Sequence, residues 1–464
     1  MAFIRSISGL RATLGDHLTP GMVANYSCAF SAVQPDGPIM IGNDGRPSGI
    51  WISEIVKGAL RACGRTVIDA GMVPTPTIQL LVEKSDAGGG IVVTASHNPA
   101  EWNGLKFLDS TGCFLDAEGN QKLWDAVDTN SFMSDVQNEN PNALSRDQQH
   151  GHLGPIDALD LHLLSVLAVL PEYFVQARFM LDKPSATVVV DAVHCSGSII
   201  IPLLLRKLGF EVVELFCDSS GIFPHTPEPV TENLTQLCAA VIEHRAAFGV
   251  AVDPDADRLV LIDELGNAIG EECTVALAVK AAYELGGQGP AVVNFSTSRM
   301  TDGVASEYGF ETHRSAVGEI NVVNKMHEVA ALIGGEGSGG VIFPSCHSGR
   351  DSVVGLALIS WLLVRNERAL TLSELRNQLP RLHMIKNKFG LSAQQSVAQV
   401  LAQCSSLFSG ANISTVDGIY ASWPDKWIHI RASNTEPIMR VIAEAKTPEQ
   451  AEQLMHQVQD VIRG

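Results

Sequence analysis

Residues 39–49 read IMIGNDGRPSG, residues 187–198 TVVVDAVHCSGS and residues 291–300 AVVNFSTSRM. Each is a short apolar run that breaks into a polar or Gly-rich turn. Amphipathic patterns follow: one through Ile55, Leu60 and Cys63, then IIIPLLLRKLG (199–209) and TDGVASEYG (301–309). Strands alternating with helices predict α/β units with mixed, mainly parallel sheets. A second strand and loop lies downstream in each segment. Gly90-Ile91-Val92-Val93 leads into TASHNP (94–99), Phe248–Val252 into DPDADR (253–258), and Ala331-Leu332-Ile333 into GGEGSGG (334–340). Ligands of open α/β sheets bind beyond the carboxyl ends of strands. Three similar domains would therefore aim three unlike loops at one cleft.

The tail differs. From about residue 374 it reads as helix, strand (Trp427–Ile430), the loop RASNTEPIMR (431–440), a further strand and a closing helix from Pro448. This is a smaller α+β domain. The expected domains are 1–153, 154–264, 265–373 and 374–464, the first boundary falling at the polar stretch 134–152. At roughly 150 residues per domain the length of 464 suggests about three, so a fourth, small domain is compatible.

Acids outnumber bases by 51 to 32, a net charge of −19. That disfavours nucleic acid or an anionic membrane as partner, since both need positive surface. An anionic small substrate remains open, because a few converging Arg and Lys residues suffice to hold it. The nine cysteines are odd in number and form no C-x-x-C, which points to reduced thiols in a cytoplasm. MAFIRSISGLRATLG has no apolar core of a signal peptide, and the apolar run Val353–Val364 is shorter than the roughly 20 residues that span a bilayer. The sequence sets no oligomeric state.

In TASHNP a serine sits on a tight turn after a buried strand, where backbone N–H groups can cradle a phosphate. Ser96 is then a candidate for covalent phosphoryl chemistry and His97 for proton transfer. Thr94 and Asn98 break the G-x-S-x-G pattern of a serine-esterase elbow. In DPDADR, Asp253, Asp255 and Asp257 alternate, so an extended loop would present all three to one side. Three carboxylates suit Mg²⁺ or another hard cation. Glu264 falls at the twelfth position of an EF-hand loop, but Arg258 stands where that loop needs Gly, and Leu259–Ile262 reads as a strand. Glu336 and Ser338 are the functional side chains of the Gly-rich turn and suit sugar hydroxyls. Arg431, Ser433, Asn434, Thr435 and Arg440 offer cations and short donors to a phosphate.

Together these four loops resemble the α-D-phosphohexomutase superfamily, which includes phosphoglucomutase, phosphomannomutase and phosphoglucosamine mutase. The resemblance spans essentially the whole chain and implies four domains around a central cleft, the first three alike. It implies Ser96 as the phosphorylated serine, with Mg²⁺ held by Asp253, Asp255, Asp257 and the Ser96 phosphate. Arg258 would hold the phosphoserine side, and Glu336 and Ser338 the sugar hydroxyls. Arg431, Ser433, Asn434 and Thr435 would bind the phosphate that is not transferred. SGLRA (8–12) is similar to a family turn that points Arg11 into the cleft, and Lys106 in NGLKF matches a lysine near the phosphoserine. His97, Lys106 and Arg11 are all candidates for assisting proton transfer.

Three positions depart from the common pattern: Ala12 for Gly, Glu319 for a His of some mannose- and glucose-type members, and Gly340 for a His of many bacterial phosphoglucosamine mutases. VGEINVV with GGEGSGGVIFP nonetheless looks most like a subgroup labelled phosphoglucosamine mutase. The activity implied is reversible exchange of hexose 1-phosphate and 6-phosphate through a bisphosphate, with hexose 1,6-bisphosphate as activator. A glucose- or mannose-phosphate enzyme is the nearest alternative. A phosphatase using water as acceptor and a non-catalytic sugar-phosphate sensor are more remote.

Overall fold

The computed structural model describes residues 3–132, 153–181, 184, 186–365, 369–391, 396–432 and 438–463. Four sheets follow one another along the chain. The first contains β1 (Phe3–Ser6), β2 (Gly9–Thr13), β3 (Ile39–Asn43), β4 (Val67–Met72), β5 (Gly89–Val93) and β6 (Trp102–Leu108), in the order β1-β2-β6-β5-β3-β4. The second contains β7 (Thr187–Asp191), β8 (Glu211–Phe216), β9 (Phe248–Val252) and β10 (Leu259–Ile262), ordered β10-β9-β7-β8. The third contains β11 (Ala291–Asn294), β12 (Thr312–Ser315), β13 (Ile333–Glu336), β14 (Gly340–Phe343) and β15 (His347–Arg350), ordered β12-β11-β13-β14-β15.

One plan recurs. In each sheet the first strand of the repeat lies between two parallel partners: β3 between β4 and β5, β7 between β8 and β9, β11 between β12 and β13. The third strand of the trio then turns back into an antiparallel neighbour, β6, β10 or β14. Central strands covered on both faces should read as unbroken apolar runs, and every residue of β5 and β9 is buried. The sheets are mixed, as expected; the parallel pairs form the three-strand centre and the added strands are antiparallel.

The fourth sheet is wholly antiparallel: β16 (His383–Gly390), β17 (Asn412–Ser414), β18 (Ile419–Ser422), β19 (Lys426–Ala432) and β20 (Ile438–Ala445), ordered β16-β20-β19-β18-β17. Helix Pro448–Arg463 packs on it. Its core, Val400 to Ile462, is separate from the large core that runs through the first three units. The seam to the third unit combines an apolar patch with polar links: Phe295 of the third unit clusters with buried Tyr420 and Trp427 of the fourth. Lys386 Nζ donates to Glu271 Oε1 and Glu272 Oε1 at 2.8 Å each, and Glu444 Oε1 accepts from Arg299 N at 2.9 Å.

The apolar run at 353–364 forms helix Ser352–Val364, buried nearly all round between helices Glu271–Glu284, Pro155–Leu167 and Gly197–Lys207. An all-round apolar helix belongs inside a core. Among the described residues no helix is long and apolar enough to cross a membrane.

Asp351 caps that helix through Val353 N at 2.7 Å and ties three units together. Its Oδ2 meets His162 Nε2 at 2.9 Å and His347 Nε2 at 3.3 Å, while His162 Nδ1 meets Thr77 Oγ1 at 2.9 Å. All of these side chains are buried. Gly349 N donates to His347 Nδ1 at 3.1 Å, so the ring proton is on Nε2 and that nitrogen cannot ligate a metal. The cluster is a structural clasp. Asp351→Ala removes the cap and leaves two buried imidazoles without their acceptor. It should cost about 3 kcal/mol, read as a lower first thermal unfolding transition. An unchanged transition would contradict the clasp.

Candidate active site

The turns that reverse β5 into β6, β9 into β10 and β13 into β14 hold the same topological place in three sheets, and they converge. Ser96 lies on the first with left-handed backbone (φ 52°) and is buried. A non-glycine residue rarely adopts that conformation, and it persists where surroundings impose it. Here Thr94 Oγ1 accepts from Ser96 N at 2.8 Å and donates to Asp44 Oδ2 at 2.7 Å. Ser96 Oγ donates to Asp253 Oδ2 of the second turn at 2.9 Å and lies 3.3 Å from His97 Nδ1.

The second turn is tight rather than extended. Ala256 N bonds to Asp253 O at 2.9 Å, with Ala256 itself left-handed (φ 51°). Asp253 Oδ1 closes the turn by accepting from the backbone N–H of Asp257 at 3.2 Å and Arg258 at 3.1 Å. Ligating atoms of Asp253, Asp255 and Asp257 fall within 4.8 Å of one another, and all three residues have 0% exposure. Lys106 Nζ donates to Asp255 Oδ2 at 2.5 Å and Asp257 Oδ2 at 3.0 Å, and Thr75 Oγ1 donates to Asp255 Oδ2 at 2.5 Å. Asp255 Oδ1 and Asp257 Oδ1 have no hydrogen-bond partner among the described residues. Buried carboxylate oxygens left bare are costly. Hard, anionic and clustered, they fit a divalent cation with oxygen preference.

Electrostatics divide the cluster. Burial, then the neighbouring Asp257 and Asp255, raises the Asp253 carboxyl well above its usual range. Burial opposes charge on Asp257 too, but Arg350, Lys106 and Arg258 outweigh it and hold its carboxyl low. Burial works against the Lys106 ammonium, but Asp255 and Asp257 outweigh it and keep it charged. Burial, then Arg258 and Arg11, pushes His97 well below its ordinary value, so the ring is neutral near pH 7.

The third turn begins three residues later than the sequence pattern suggests: β13 takes in Gly334 and Gly335, and Glu336 is its last residue. Its Oε1 accepts from Asn294 Nδ2 at 2.7 Å and Gly318 N at 3.0 Å, and its Oε2 from Arg350 Nη1 at 2.7 Å. Two adjoining cavities of about 440 and 430 Å³ open over the three turns. His97, Arg258, Glu336, Arg350, Arg431 and Arg440 line both; Ser338 lines the first and Arg11 the second. Arg11 Nη1 donates to Asn98 Oδ1 at 2.9 Å. On the fourth sheet Arg431 faces Arg440 in register across β19–β20, and Arg440 faces Lys388 across β20–β16. Like charges directly opposed destabilise a sheet, and such a row suits an anion. Ser433, Asn434 and Thr435 lie outside the described residues.

Four family profiles match in sequence: phosphoglucomutase/phosphomannomutase alpha/beta/alpha domain I at residues 4–134, domain II at 172–266, domain III at 270–383 and the C-terminal domain at 386–461. The chain belongs to the phosphoglucomutase/phosphomannomutase family. As a phosphohexomutase it is 33% identical to a phosphoglucomutase/phosphomannomutase of Thermococcus kodakarensis, over 96% of this chain and 95% of that one. It is 31% identical to a probable phosphoglucosamine mutase of Methanopyrus kandleri, covering 98% and 97%. A crystal structure of a family protein from Burkholderia thailandensis superposes with TM-score 0.81 at 25% identity, covering 99% of this chain and 98% of that one.

Sequence reading passed over several residues that build this phosphohexomutase site: Arg46, Thr75, Arg350, Lys386 and Lys388. Arg46 was in plain view in IMIGNDGRPSG, but its role depends on partners 50 residues away. Buried at 2% exposure, its Nε donates to Asp44 Oδ2 at 2.9 Å. Its terminal nitrogens donate to the carbonyls of Ser96, Asn98 (2.7 Å), Pro99 (2.9 Å) and Trp102 (3.1 Å). One guanidinium thus holds the whole serine turn in shape. Arg46→Lys keeps the charge beside Asp44 but loses the fork. It should lower kcat by at least about tenfold, the equivalent of one lost charge-assisted bond. Amide exchange across 94–102 should rise in the same variant. Wild-type kcat with unchanged exchange would refute the assignment.

Proposed function

We propose that Ser96 carries a phosphoryl group and exchanges it with the two ends of a hexose phosphate, interconverting the 1-phosphate and 6-phosphate through a bisphosphate. The single observation that carries this reading is the 2.9 Å contact between Ser96 Oγ and Asp253 Oδ2, which joins a strained serine turn to the acidic turn of another domain. Asp253, Asp255 and Asp257, with a phosphoryl oxygen on Ser96, would hold Mg²⁺, which offsets charge on the transferring group. Arg258 and Arg11 flank the same space and would stabilise phosphoryl oxygens as charge spreads over them. Neutral His97 is suited to accept a proton, and charged Lys106 to donate one. The first substrate turnover needs an already phosphorylated serine, hence hexose 1,6-bisphosphate as activator.

The phosphate that is not being transferred would rest on Arg431, with Ser433, Asn434 and Thr435 supplying short donors. The separate core of the fourth domain favours hinge closure over each orientation of the bisphosphate. Glu336 and Ser338 would meet sugar hydroxyls. The glucosamine-phosphate reading is favoured by the name of the 31% identical relative. The glucose- or mannose-phosphate reading is favoured instead by the name of the 33% identical relative.

The test is turnover of glucose 1-phosphate, mannose 1-phosphate and glucosamine 6-phosphate with Mg²⁺ and a trace of hexose 1,6-bisphosphate. Isomer should form, fastest from glucosamine 6-phosphate, and Ser96→Ala should lose activity by orders of magnitude while remaining folded. Phosphopeptide mapping should find the label on Ser96. Free phosphate as main product would indicate a phosphatase. Label on Ser338 with an active Ser96→Ala variant would overturn the serine assignment.

A further inference from the structure

Arg350, the last residue of β15, is buried and makes contact with three carboxylates from three elements. Its Nε donates to Glu319 Oε2 at 2.9 Å, Nη1 to Glu336 Oε2 at 2.7 Å and Nη2 to Asp257 Oδ2 at 2.7 Å. Glu319 opens helix Glu319–Val329, and its other oxygen accepts from Gln79 Nε2 of the first domain at 2.7 Å. The arginine stem crosses β14 at Gly340, where any Cβ would stand 2.4 Å from Arg350 Cδ. Glycine at 340, arginine at 350 and glutamate at 319 are therefore one spatial unit.

We propose that Arg350 is a positioning residue that couples the cation-binding turn to the sugar-binding residue, so that each senses the state of the other. Arg350 and Lys106 together occupy Asp257 Oδ2, and Oδ1 is the oxygen left without a partner among the described residues. The guanidinium thereby sets which oxygen of Asp257 is offered to an ion. The same group fixes Glu336 from one side while Asn294 and Gly318 fix it from the other. A shift of Glu336 toward a bound sugar must pull on a rigid fork whose far end rests on Asp257. A lysine carries the charge but only one donor centre and cannot span three carboxylates at once. This coupling rests on the metal and sugar roles proposed for Asp257 and Glu336.

The experiment measures Mn²⁺ affinity of the full chain by electron paramagnetic resonance, alongside steady-state kinetics and melting, for wild type, Arg350→Lys, Glu336→Gln and the double variant. In the wild-type background Glu336→Gln should change the Mn²⁺ Kd by about fivefold or more, the lower end of site–site coupling. In the Arg350→Lys background the same substitution should change it by less than about twofold, because the link is gone. Arg350→Lys alone should shift the Mn²⁺ Kd and lower kcat while largely keeping the melting temperature. Equal effects of Glu336→Gln in both backgrounds would overturn the proposal. If Arg350→Lys fails to fold, Arg350→Gln takes its place in the same cycle with the same outcomes, and an unchanged Mn²⁺ Kd in the single Glu336→Gln variant overturns the coupling by itself. A wild-type chain that binds no Mn²⁺ would refute the metal reading, and the coupling with it.

Discussion

Three aspartates with no exposed surface, their oxygens within 4.8 Å of one another, are the constraint on which the site depends. Such a cluster repels itself, and burial removes the water that would screen it. Lys106 and Arg350 answer part of the charge, and Arg258 stands 3.8 Å from Asp257 Oδ1. Two oxygens still lack partners among the described residues. The surplus of negative charge is directed rather than spread. It faces the place where Ser96 Oγ stands, and there a divalent ion would offset it.

The fold makes this possible by repetition. One parallel trio with an antiparallel return, used three times, brings three return turns to one place without any long loop. The clasp of Asp351 with His162, His347 and Thr77 locks helices of three units behind the turns, while Arg46 braces the serine turn from below. The fourth domain is held differently. Its own core is separate, and a small aromatic cluster of Phe295, Tyr420 and Trp427 joins it to the third unit together with ion pairs and hydrogen bonds.

Apolar strands and reactive turns could be read from the chain because both are local. Ile39–Gly42, Val188–Val190 and Phe248–Val252 are unbroken apolar runs, and DPDADR concentrates more carboxylate than a structural turn needs. What escaped was set by distance in sequence. Nothing local distinguishes Arg46 from a surface arginine, or Thr75 from a helix cap, or Arg350 from the end of an edge strand. Each acquires its role from at least one partner 50 to 180 positions away. The acidic turn reads as extended by alternation, yet Ala256 in a left-handed conformation folds it tightly, a choice no Ala advertises. Glu319 and Gly340 stood out as departures from the common pattern; their connection through Arg350 needed coordinates.

The most direct test of the central claim is an anomalous difference map from crystals of the full chain grown with Mn²⁺. One strong peak ringed by Asp253, Asp255, Asp257 and Ser96 is expected. An empty aspartate turn, or a peak only at His162, His347 and Asp351, would contradict the account.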